Sequence, residues 1–117
     1  MKYAITSHGG SLDGDDIHPL AHLTALIGYA SATLPHDGAQ AVVRLLAAPA
    51  DAVTGETYTV PADHAARLAP LLARLSTTRY STATRPLGAT ARLLADSAAR
   101  AADTGEPWTW QIETGAS

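Results

Sequence analysis

Residues 108–113 read WTWQIE, and no other stretch constrains the fold as much. In an extended chain successive side chains point to opposite faces. Trp108, Trp110 and Ile112 therefore share one face, and Thr109, Gln111 and Glu113 the other. Such alternation marks a strand buried on one side and wet on the other. The chain has 2 Trp and no Phe, so both of its largest rings sit on one side of this strand. A lone strand cannot bury them. They need partner strands and a layer of helices facing that side.

Two further stretches supply partners. Residues 2–6 (KYAIT) alternate, with Tyr3 and Ile5 on one face, and residues 56–60 (ETYTV) alternate with Tyr58 and Val60 on one face. The segments between them are helical in pattern. Helix 1 is expected over about residues 17–34, capped by Asp15 or Asp16, with Pro19 in its first turn. Its core arc would hold Ile17, Leu20, Leu23, Thr24, Ile27 and Leu34, leaving His18, His22 and Tyr29 on the far side. Helix 2 is expected over 39–48, followed by a loop over 49–55. Helix 3 should span 61–75 with a Leu68, Leu71, Leu72 and Leu75 stripe, kinked or split at Pro70. Helix 4 should span 86–103 and close at Gly105. Its stripe of Leu87, Thr90, Ala91, Leu94, Ala98 and Ala101 is rich in Ala, so another element can approach closely. The order is β-α-α-β-α-α-β. It predicts an α+β fold: a small three-stranded, at least partly antiparallel sheet with four helices packed on one face. Residues 1–114 would form one domain and 115–117 a frayed tail.

Composition narrows the function classes. The chain has 117 residues and a mean hydropathy of +0.01, which suits one ordinary core. No apolar run approaches the roughly 18 residues of a membrane span, so no membrane association is expected. The first ten residues lack an apolar signal region, which makes a cytoplasmic location the expectation. With 0 Cys there are no disulfides, thiolate metal sites or cysteine nucleophiles. Net charge is −3. Residues 1–63 hold two basic and seven acidic groups, and residues 64–117 six and four. That asymmetry is too mild to demand a nucleic-acid partner.

Residues 7–27 carry the densest chemistry, with three of the 5 His and three of the 11 acidic residues. His18 and His22, spaced i, i+4, would project from one side of helix 1 as metal ligands do. His8 and one of Asp13, Asp15 or Asp16 could complete a divalent site for zinc or manganese; otherwise no cofactor is expected. No H-E-x-x-H or EF-hand spacing is present, so a polar helix face behind a capping loop is the preferred reading. Gly9-Gly10 before a helix resembles a phosphate cradle, but Asp13, Asp15 and Asp16 would repel phosphate there. Arg79, Arg85 and Arg92 form a candidate nucleic-acid or anion surface. Asp96 lies four residues from both Arg92 and Arg100, so an ion-paired surface is preferred. Ser7-His8 lacks a third group to orient the imidazole for nucleophilic catalysis.

Two resemblances add expectations. His8-Gly9, Tyr58 or Tyr80, and Glu113 are similar to the pattern of ADP-ribosyltransferases, although this chain is shorter and has little strand for their split sheet. Ser7-His8-Gly9, the stretch VPADHAARLAPLLARL, and Gly105-Glu106-Pro107-Trp108-Thr109-Trp110 resemble a family of uncharacterised small single-domain proteins from high-GC actinobacteria. That resemblance spans nearly the whole chain and implies no reaction. The expected function is a small non-enzymatic binding or accessory protein. Its partner would be another protein or a second copy rather than nucleic acid, held by the Ala-rich face of helix 4 or an open sheet edge.

Overall fold

The computed structural model describes residues 2–8, 16–51, 55–77 and 85–114. The WTWQIE alternation is realised in β4 (Trp108–Thr114), which runs between two antiparallel neighbours. On one side lies β1 (Lys2–His8) and on the other β3 (Thr57–Val60). A further strand, β2 (Asp16–Pro19), flanks β1, so the sheet order is β2-β1-β4-β3. Trp108, Trp110 and Ile112 are fully buried on the inner face, as their alternation requires.

The fourth strand corrects the expected three-stranded sheet and the β-α-α-β-α-α-β order. Among the described residues the order is β-β-α-α-β-α-α-β. The helical spacing starts helix 1 at about residue 17, with Asp15 or Asp16 as its cap. A local force opposes that. A residue before proline is pushed from the helical to the extended region, which disfavours a helical His18. Pro19 itself is extended, at φ −60° and ψ 137°. It ends an edge strand, where its missing N–H costs little. Asp16, Ile17 and His18 pair with Thr6, Ile5 and Ala4. Helix α1 (Leu20–Thr33) begins only afterwards. The change of period reverses two burial expectations. Ile17, placed in the core by a 3.6-residue repeat, is 63 % exposed, and His18, placed outside, is 1 % exposed.

β1 also turns its other face inward. Ala4 and Thr6 are buried, whereas Tyr3 and Ile5 lie half-buried on the outer face. The register explains why. Ala4 is opposite Ile112 and Thr6 is opposite Trp110. Paired side chains stand about 5 Å apart, so small groups on β1 leave room for the Trp rings of β4.

The helices share the inner side. α2 (His36–Asp51), α3 (Ala62–Ser76) and α4 (Arg85–Thr104) follow α1. α1 and α4 contact the sheet, α3 lies along α4, and α2 rests on α1 and α3. Ala91, Ala95, Ala98 and Ala101 are buried, and their small side chains let α3 come close, as the composition of that stripe implies. α2 is longer than expected and passes through Pro49. α3 likewise continues past Pro70 without splitting. Pro70 and Ala66, the residue whose carbonyl loses its acceptor role, are both exposed, so water can satisfy that carbonyl.

α4 ends where Gly105 was expected to stop it. Gly105 takes φ +71°. Glu106 N donates to Ala101 O at 3.1 Å and Gly105 N to Ala102 O at 3.3 Å, the paired bonds of a Schellman cap. The left-handed backbone at that position favours glycine. No helix among the described residues is long and apolar enough to cross a membrane. Of the expected loop over 8–15, residues 9–15 lie outside the described residues, as do residues 78–84 and the tail 115–117.

Candidate functional site

His18 and His22 lie near enough for the charge of one to act on the other, but not as one helical pair. His18 hangs from β2 into the core, and its Nε2 is 3.0 Å from Thr6 Oγ1. His22 stands in the first turn of α1, half-buried, with Nδ1 3.2 Å from Thr90 Oγ1 of α4. The first contact ties β2 to β1 and the second ties α1 to α4. Burial lowers the His18 pKa to about 4, with the charge of His22 as the smaller cause. His18 is therefore a neutral imidazole at neutral pH. At 1 % exposure it presents no atom to a dissolved reactant.

The same inner face holds an aromatic cluster. Trp108 Nε1 donates to Ser97 Oγ of α4 at 2.8 Å. Trp108 and Trp110 meet edge to face with centroids 5.1 Å apart, and Tyr58 stacks on Trp110 at 5.9 Å. Burial, with Glu56 as the lesser cause, pushes the Tyr58 phenol above its ordinary pKa, so it stays protonated. His18 Nδ1, Tyr58 OH and Trp110 Nε1 are buried with no hydrogen-bond partner. Each such group costs about 1–3 kcal/mol, which the aromatic and aliphatic burial around it must offset.

The metal expectation named His8, His18, His22 and Asp13. Among the described residues no group of three or more His, Asp or Glu side chains is placed to hold an ion. Asp13 and Asp15 lie outside the described residues. The backbone of His8 pairs with Trp108 and that of His18 with Ala4. These pairings are four residues apart along β1, about 13 Å. The helical i, i+4 geometry that motivated the expectation is absent, because His18 belongs to a strand.

Two of the three candidate arginines stand on one helix. Arg85 and Arg92 are exposed on α4, and Arg79 lies outside the described residues. Arg92 Nε is 4.0 Å from Asp96 Oδ2, an exposed i, i+4 pair. Exposed pairs of this kind contribute about 0.5 kcal/mol or less. The ADP-ribosyltransferase likeness is not supported by the register. His8 pairs with Trp108 while Glu113 pairs with Tyr3, so they occupy opposite ends of the β1–β4 ladder. Five residues of strand separate them, about 17 Å.

One feature was missed in the sequence. Arg44 of α2 and His64 and Arg67 of α3 rim a groove of about 400 Å³ floored by Val60, Leu68 and Leu71. His64, Arg67, Leu68 and Leu71 follow i, i+3, i+4, i+7 spacing, so a mixed cationic and apolar helix face was legible. That Arg44 would face it from another helix was not.

The two short motifs of the family resemblance meet in space. Ser7 and His8 lie opposite Thr109 and Trp108 in the central strand pair. Gly105 caps α4 so that Trp108 and Trp110 enter the sheet facing inward. No curated protein and no solved structure matches the chain. Residues 9–111 match the model of a family described as a domain of unknown function (DUF7739), and the chain belongs to that family.

Proposed function

We propose that the chain is a small non-enzymatic binding protein that self-associates through the outer face of its sheet. The observation that carries this reading is Ile17. It is 63 % exposed and lies in register with Ile5, beside the Tyr3–Pro19 pair. The helices contact the sheet from the opposite, Trp-bearing side. The rest of the outer face is formed by Thr57, Thr59, Thr109, Gln111 and Glu113, so among its described residues it carries one charge. A nearly neutral face with an aliphatic patch at its β2–β1 side suits a two-fold contact, in which the same patch meets itself. The two edge strands are four residues long, which limits edge-to-edge pairing. The Ala-rich stripe of α4 is occupied by α3 and is not free for a partner.

Sedimentation over a wide concentration range tests the reading. The mass should rise from 12.1 kDa toward twice that value, and Ile17→Lys should hold the chain monomeric with an unchanged circular-dichroism spectrum. A monomer at every concentration, or an Ile17→Lys variant that associates as before, defeats it.

A second reading, a zinc or manganese site centred on His18 and His22, is favoured by one observation. His18 Nδ1 is buried and has no partner. Elemental mass spectrometry of protein purified without chelator tests it. Near one ion per chain, lost in His22→Ala, supports the site; no bound ion defeats it.

A further inference from the structure

The seam between α2 and α3 is separate from the outer sheet face. Gly38 of α2 lies against Leu71 of α3 so closely that a Cβ at position 38 would fall 2.8 Å from Leu71 Cδ2. The two helices therefore meet tightly at that point. Leu71 also forms part of the floor of the groove, with Val60 and Leu68. The groove's volume, about 400 Å³, lies within the range of small-molecule sites, about 300–1,000 Å³.

The rim is unusual in its charge. Arg44 and Arg67 reach it from different helices, with His64 beside them, and no acidic side chain lines it. Neither guanidinium has an ion pair or hydrogen bond among the described residues, whereas Arg92 has Asp96. Two unpaired guanidinium groups beside an apolar floor match a ligand with the same division. A guanidinium fork fits a carboxylate with two parallel hydrogen bonds. An apolar body of a few carbons would cover Val60, Leu68 and Leu71. A polyanion fits less well, because Asp37 and Asp63 are exposed in the first turns of the same two helices.

We propose that the α2–α3 groove binds a small amphiphilic carboxylate, its acid group held between Arg44 and Arg67 and its apolar body on Val60, Leu68 and Leu71. Octanoate is the probe, with octanol to test the apolar part alone and acetate the charge alone. Calorimetry should give one octanoate site per chain, with octanol and acetate each at least about tenfold weaker. Amide NMR shifts should cluster at residues 41–44 and 64–71. Arg44→Gln and Arg67→Gln should each weaken octanoate by about tenfold, the loss of one charge-assisted hydrogen-bonded contact. Both side chains are exposed, so thermal melts of these variants should match the wild type. Octanoate binding no tighter than octanol, shifts centred elsewhere, or unchanged affinity in both variants would overturn the proposal. So would binding of an acidic peptide without any binding of octanoate.

Discussion

The junction between α4 and β4 and the junction between β2 and α1 solve the same problem in opposite ways. Each passes between a helix and a strand within a few residues. At the C-terminal junction every local signal agrees. Gly105 adopts the positive φ that closes the helix, and the alternating WTWQIE segment enters the sheet with its rings inward. Trp108 Nε1 finds Ser97 Oγ. At the N-terminal junction the signals conflict. The spacing of Ile17, Leu20, Leu23 and Ile27 suits a helix, while Pro19 forces the residue before it toward extended backbone. The strand prevails, and it leaves an exposed Ile17 and a buried His18 with one unpartnered nitrogen. Agreement between levels of structure puts the β4 rings inside, where their alternation sends them, although Trp110 Nε1 is left without a partner; conflict exposes an aliphatic side chain and buries an imidazole.

The largest expected effect sharpens this contrast from the C-terminal side. Trp108→Ala removes a fully buried ring, its edge contact with Trp110 and the partner of Ser97. It should cost about 3–5 kcal/mol in urea unfolding. A loss no larger than that of an ordinary surface substitution would mean that this ring does not anchor the helices to the sheet.

The next effect comes from the N-terminal junction and depends on pH. His18 titrates near 6.5 when unfolded and near 4 when folded. Across that window the unfolded chain binds the proton more readily, so stability falls as pH falls from 6.5 to 4 and this contribution is fully present above 6.5. The loss should approach about 3 kcal/mol. His18→Asn cannot titrate there and should show a smaller loss over the same range, although it starts less stable. Equal pH dependence in both proteins would show that His18 is not the group responsible.

The smallest effect on stability should come from Ile17→Lys, within about 0.5 kcal/mol, despite its place beside His18. The same substitution should have a large effect on association. A strong destabilisation without any change in sedimentation would reverse the comparison, making Ile17 a core residue rather than a contact residue.

Much of the fold was legible because it rests on short-range rules. β4, the Gly105 stop, α3 and α4 followed from alternation, backbone permissiveness and helical stripes. The inner face of β1 was not legible. Tyr3 and Ile5 are the more apolar pair, yet Ala4 and Thr6 face inward because of the rings opposite them. His18 and His22 were singled out by helical spacing, but their partners, Thr6 and Thr90, come from strand β1 and from α4, and spacing within one helix carries no information about either. The same limit hid the groove. His64 and Arg67 form a readable face, but Arg44 joins them only after α2 is placed beside α3.

By itself, then, the sequence determined an α+β domain with its Trp side chains on one face of a closing strand, and where its last helix must stop. These are properties of neighbours along the chain, decided by side-chain alternation and by the left-handed backbone at Gly105. The tertiary structure alone decided that residues 16–19 pair with β1, which side of β1 faces inward, and which cations converge on one groove. Those outcomes depend on pairing and packing between residues far apart in the chain, where the size of a Trp ring or the absence of a Cβ at Gly38 outweighs local preference.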